Sequence, residues 1–127
     1  MAKEKFHIEY IFDNVSRRSL WNHLTTPPGL SSWFADDVSI NDNKYIFKWD
    51  KQEEVVEVLS MKPEISVRYR WTHEEDAAAY FEFCIHTVEL TGATALEITD
   101  FAEPDEKQDA IELWGSQIVE LKRTLGI

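Results

Sequence analysis

Cysteine is almost missing from this chain: Cys84 is the one thiol among 127 residues. A lone thiol excludes an intramolecular disulfide and any cysteine-based metal cluster, so packing alone must hold the fold. Glycine is sparse at four residues, and the stretch GLSSWF carries a single one, which excludes a Gly-rich phosphate cradle. No apolar run approaches the length of a membrane span, and the opening MAKEKFHIEY has no apolar stretch of signal-peptide length. These features predict a cytoplasmic protein with no membrane partner. Cations are also short, 13 Lys and Arg against 24 Asp and Glu, for a net charge of −11. Affinity for nucleic acid comes largely from cations that replace phosphate counterions, so nucleic acid is excluded as a partner. A basic protein partner is compatible with the same charge.

Apolar bulk is what the chain has instead. Hydrophobic residues make up 43% and aromatics 13%, including five Trp. Aromatic side chains bury large areas each, and a chain of this length buries a core without metal or disulfide support. The reading is one domain, 1–127, with a bulky core, an aromatic-lined cavity or a sticky surface.

Alternation marks the strands. Phe6, Ile8, Tyr10 and Phe12 share one face of KFHIEYIF, opposite His7 and Glu9, the pattern of a half-buried strand. Ser16 suits the N-cap of a short helix through about His23, and Thr26-Pro27-Pro28-Gly29 forces a corner. A second short helical piece follows with Leu30, Trp33 and Phe34. DVSI, YIFKW, VVEVLSM, ISVRYRW, AYFEFCIHTVEL and ATALEITDF then read as antiparallel strands. Ile65, Val67, Tyr69 and Trp71 alternate with Ser66, Arg68 and Arg70. Asp105 and Gln108 resemble a capping box, and Ile111, Trp114, Ile118, Leu121 and Leu125 form one stripe on a final helix of about 20 residues. Strands followed by a helix indicate an α+β fold with the helix on one sheet face.

The stretch LWNHLTTPPGLSSWFADDV resembles the signature of the START-like (SRPBCC, helix-grip) superfamily. Its features are Trp21, Leu24 to Pro27, Gly29-Leu30, Trp33-Phe34 and Asp36-Asp37. It is most similar to the branch of bacterial homologues of the heat-shock chaperone ATPase activator. KYIFKW, VEVL, VRYRW, TALEITDF and the Trp114 helix follow in the expected order, so the resemblance covers nearly the whole chain. It implies a helix-grip fold: a curved antiparallel sheet of about six or seven strands around a long C-terminal helix, with two short helices after strand 1. It also implies a groove between helix and sheet, in which relatives hold apolar molecules.

The expected ligand-binding residues are Trp33, Phe47, Trp49, Tyr69, Trp71, Phe83, Trp114 and Ile118, for a small apolar or amphipathic molecule. The same side chains, with Phe81, also read as a filled core, because protein interiors close-pack. No catalytic set stands out. Tyr69 with Asp100 is the best acid–base pair available, and the reading of Asp100 as a strand-end acid at the mouth competes with it. His7, His23, His73 and His86 lack metal-ligand spacing, so no metal or other cofactor is expected. The acidic segments offer a second reading, a protein-interaction module that docks a basic partner or pairs with itself as a homodimer.

Overall fold

Seven strands form one antiparallel sheet in the computed structural model, which describes residues 3–127. They are β1 (Glu4–Phe12), β2 (Asp37–Asn41), β3 (Lys44–Trp49), β4 (Gln52–Lys62), β5 (Ser66–Trp71), β6 (Phe81–Thr87) and β7 (Thr94–Ala102). The spatial order is β1-β7-β6-β5-β4-β3-β2. Every hairpin from β2 to β7 therefore joins neighbours, while β1 pairs with the last strand. Two short helices, α1 (Arg17–Thr25) and α2 (Pro27–Ser31), link the sheet's two edge strands. The long helix α3 (Lys107–Leu125) ends the chain. This is the α+β helix-grip architecture expected from the alternation and the C-terminal stripe.

Period-two sequence places one apolar row from each strand on the concave face. Phe6, Ile8, Tyr10 and Phe12 of β1 register with Asp100, Ile98, Leu96 and Thr94 of β7. Val67 and Tyr69 of β5 register with Phe83 and Phe81 of β6. A register shift between Val58 and Ser60 in β4 is a bulge, a device that bends a strand and increases its twist. Onto this face α3 lays Trp114, Ile118 and Leu121, all buried, with Ile111 and Leu125 partly buried at the ends of the stripe. Gly126 closes the helix in the left-handed conformation at φ 80°, its N–H donating to the carbonyls of Lys122 and Arg123.

The corner between α1 and α2 shows why its sequence is so bulky. The last turn of a helix leaves carbonyls without intrahelical partners. Here Trp33 Nε1 donates to the His23 carbonyl at 2.7 Å, Tyr69 Oη to that of Leu24 at 2.9 Å, and Tyr45 Oη to that of Thr25 at 2.7 Å. Thr26 serves both helices: its Oγ1 donates to the Asn22 carbonyl and accepts from Gly29 N–H. Pro27 and Pro28 occupy the first positions of α2, where no backbone donor is needed. Gly29 lies so close to α1 that a Cβ there would sit 2.2 Å from the Asn22 carbonyl oxygen.

Local expectations fail at three places. Helix α1 runs past His23 to Thr25, because the tyrosine and indole donors satisfy its end. Asp105 and Gln108 make no capping box: Glu106 takes the cap position without a side-chain hydrogen bond. Ile65 lies outside β5 and is exposed, since the Lys62–Ile65 turn, with Glu64 at φ 61°, spends that residue on reversing the chain.

Candidate functional site

Under α3 the concave face is occupied by side chains. Phe34 is the hub, with ring centroids 5.1 Å from Phe47, 5.3 Å from Trp33, 5.8 Å from Trp49, 6.0 Å from Trp114 and 6.1 Å from Phe81. These separations are those of favourable stacked and edge-to-face pairs. Phe47, Tyr69 and Phe83 are fully buried, and Ile118 and Trp114 nearly so. Beyond them, Trp49 and Trp71 lie 6.2 Å apart and half-buried, and Trp71 stacks on His73. His73 in turn meets Glu54 at 2.9 Å.

Most of the aromatic polar groups are committed inside the fold. Besides the α1 carbonyl donors, Trp49 Nε1 donates to the Phe34 carbonyl at 2.8 Å and Trp114 Nε1 to Asp100 Oδ2 at 2.8 Å. Burial, and then the neighbouring Tyr45, push the Tyr69 phenol far above its ordinary value, so it stays a neutral donor. The expected site residues therefore divide. Phe47, Tyr69, Phe83, Trp33, Trp114 and Ile118 are buried in the packed floor, and Trp49 and Trp71, partly buried, approach the surface.

An opening of about 240 Å³ lies against this floor, lined by Ser31, Ser32, Trp33, Phe34, Ala35, Asp36, Trp49 and Glu120. It sits where the α2 corner, β3 and α3 meet. Thr124 Oγ1 donates to the Ser32 carbonyl at 3.2 Å and ties the helix to the corner. Trp33, Phe34 and Trp49 are the opening's aromatic lining, Ser31, Ser32, Asp36 and Glu120 make the rest largely polar, and two of these are acidic. Such a site can hold an apolar group by burial and leave a polar end in water. Phe34, Asp36 and Glu120 were absent from the expected ligand set. Phe34 follows the end of α2, so helical spacing does not give its direction, and the other two enter only through the meeting of three elements.

Tyr69 and Asp100 do not come together. They lie on β5 and β7 with β6 between, which places their backbones roughly 10 Å apart. Asp100 accepts from the Trp114 indole and from the Phe101 N–H. Burial pushes its carboxyl up, while those two donors pull it back. Cys84 lies on the outer face beside Glu82 and His86, and burial, Glu97 and Glu82 push its thiol up, away from thiolate reactivity.

Comparison with known proteins follows the architecture. A family model described as START-like superfamily domain matches residues 1–127. The solution structure of BfR322 from Bacteroides fragilis is 40% identical, with a TM-score of 0.71 over 100% of this chain and 94% of that one. The Aha1 dimer from Colwellia psychrerythraea is 19% identical, with a TM-score of 0.81 over 98% and 97%. Protein MLL2253 from Mesorhizobium loti is 18% identical, with a TM-score of 0.76 over 97% of each chain. The two latter likenesses concern the fold. No curated protein matches the chain.

Proposed function

The chain belongs to the START-like superfamily, and from that premise we propose that it binds a small apolar or amphipathic molecule between the sheet and the C-terminal helix. The observation that carries this reading is the cleft of about 240 Å³ at Trp33, Phe34 and Trp49, bounded on the helix side by Glu120. Ligand pockets generally combine apolar walls with a few polar groups that fix orientation. The packed floor gives the ligand a rigid aromatic base in place of a deep cavity. A ligand's apolar end lies against Trp49 and Phe34, and its polar end reaches the Ser31, Ser32 and Asp36 side. The cleft is smaller than most drug-sized sites, so the seated part is about one ring system or a short alkyl segment.

The test uses 2-naphthalenemethanol, titrated while tryptophan emission is followed, with native mass spectrometry on freshly purified protein for a retained ligand. Saturable quenching that Trp49→Ala weakens at least about tenfold, or 1.4 kcal/mol, supports the reading. Emission that responds linearly in both proteins, with no retained ligand, removes it.

Self-association is the second reading. The likeness to a protein solved as a dimer favours it, together with the exposed Ile40 on edge strand β2. Sedimentation over a range of concentrations decides whether a dimer forms.

A further inference from the structure

Away from the aromatic cleft, a groove of about 500 Å³ follows the first half of α3 over the end of β7. Phe101, Ala102, Ala110 and Leu113 line it, with Leu113 61% exposed, while the Phe101 ring itself packs on Tyr80 at 5.0 Å with Lys5 Nζ 5.8 Å away. Glu103, Glu106 and Asp109 stand around it. The carboxylates of Glu103, Asp105 and Glu106 lie within 4.8 Å of one another. Among the described residues, neither these three nor Asp109 takes part in a salt bridge.

Some of this charge suits the start of α3, because the helix dipole places about half a positive charge there. Four carboxylates exceed that several-fold. Lys3 at the groove's side offers no relief, since its ammonium is held by Glu74 at 2.8 Å. Beyond Lys3 and Glu103 lies an adjoining depression of about 350 Å³ that adds Glu74, Glu75 and Asp76. The groove thus sets the exposed Leu113 beside carboxylates that outnumber the nearby cations Lys3, Lys5 and Lys107.

We propose that this groove docks a basic amphipathic segment of a partner protein. Apolar side chains of the segment seat on Ala110 and Leu113, and flanking Lys or Arg side chains meet Glu103, Glu106 and Asp109. Charge selects this occupant. A second copy offers this acidic groove no surplus of cations, its net charge being −11, so self-pairing is left to the β2 edge, and a neutral apolar segment would desolvate the carboxylates without a counter-charge. Rim pairs of this kind steer encounter and set partner choice, so the association weakens with salt.

The proposal is tested on the full chain with a fluorescein-labelled peptide of about five helical turns, Leu on one face and Lys on the other, and with oligolysine of equal charge. Saturable binding is expected, with amide shifts at Phe101, Ala110 and Leu113. Leu113→Asp should weaken it at least tenfold, and the double variant E106Q/D109N should flatten its salt dependence. Leu113 is exposed, so the variant leaves the core intact and retains 2-naphthalenemethanol quenching at Trp49 if that site exists, which separates the two readings. Absence of saturable binding, equal affinity for oligolysine, or shifts centred on Trp49 would each overturn the proposal. So would a dimer that Leu113→Asp abolishes and the peptide does not displace.

Discussion

The hydroxyl of Tyr69 donates to the backbone carbonyl of Leu24 across 2.9 Å, so a residue at the centre of the sheet closes the end of a helix 45 positions earlier. Tyr45 does the same for Thr25. The concave face thereby holds α1 by directed bonds as well as by contact. Tyr69→Phe leaves a buried carbonyl without its donor and should cost about 1–3 kcal/mol, read from urea midpoints. A loss below about 0.3 kcal/mol would show that the carbonyl finds another partner, since typical net hydrogen bonds exceed that.

Gly29→Ala places a methyl group against the Asn22 carbonyl oxygen and the His23 Cα. Both obstacles are backbone, so the two helices must separate. Overpacking of this kind costs about 1–3 kcal/mol, and the upper end is expected. Thermal unfolding checks it, and an unchanged midpoint would mean that α1 and α2 are less closely apposed.

Trp114→Ala removes the side chain that stacks on Phe34 and meets Phe81 and Phe83. A loss of about 3–5 kcal/mol is expected for a buried Trp. A change well under ~1 kcal/mol would mean that α3 does not rest on the sheet by this face.

Asp100 gives a dependence on pH. Its raised carboxyl, driven by burial, keeps its proton to higher pH in the native state than in the unfolded chain. The native state therefore binds more protons across that window, and this group's contribution to stability falls as pH rises from the ordinary carboxylate value through the raised one. Asp100→Asn removes the titration. The stability of the natural chain minus that of the variant should decrease as pH rises above the ordinary carboxylate value of about 4. A difference that grows with pH contradicts the assignment.

Local patterns carried much of the architecture. Period two in residues 5–12 and 66–71, and spacings of three and four from Ile111 to Leu125, foretold the sheet and the helix that lies on it. These patterns depend only on which face is buried. The capping of α1 was not legible, because Trp33, Tyr69 and Tyr45 reach its carbonyls only after corner and sheet have docked. For the same reason, Tyr69 read as a ligand-lining residue and as the partner of Asp100, whereas its hydroxyl faces α1. The central place of Phe34 was hidden because α2 ends at Ser31, so helical spacing no longer says which way residue 34 points. Whether the aromatic face is open or filled depends on summed side-chain volume across seven strands, which no single segment encodes.

The most direct test of ligand binding at the corner is an ¹⁵N-resolved titration that follows the side-chain indole signals of the five Trp as 2-naphthalenemethanol is added. The cleft predicts saturable shifts at Trp49 and Trp33, with Trp114 unmoved on its Asp100 partner. Shifts confined to Trp114, or none at any indole, would contradict it.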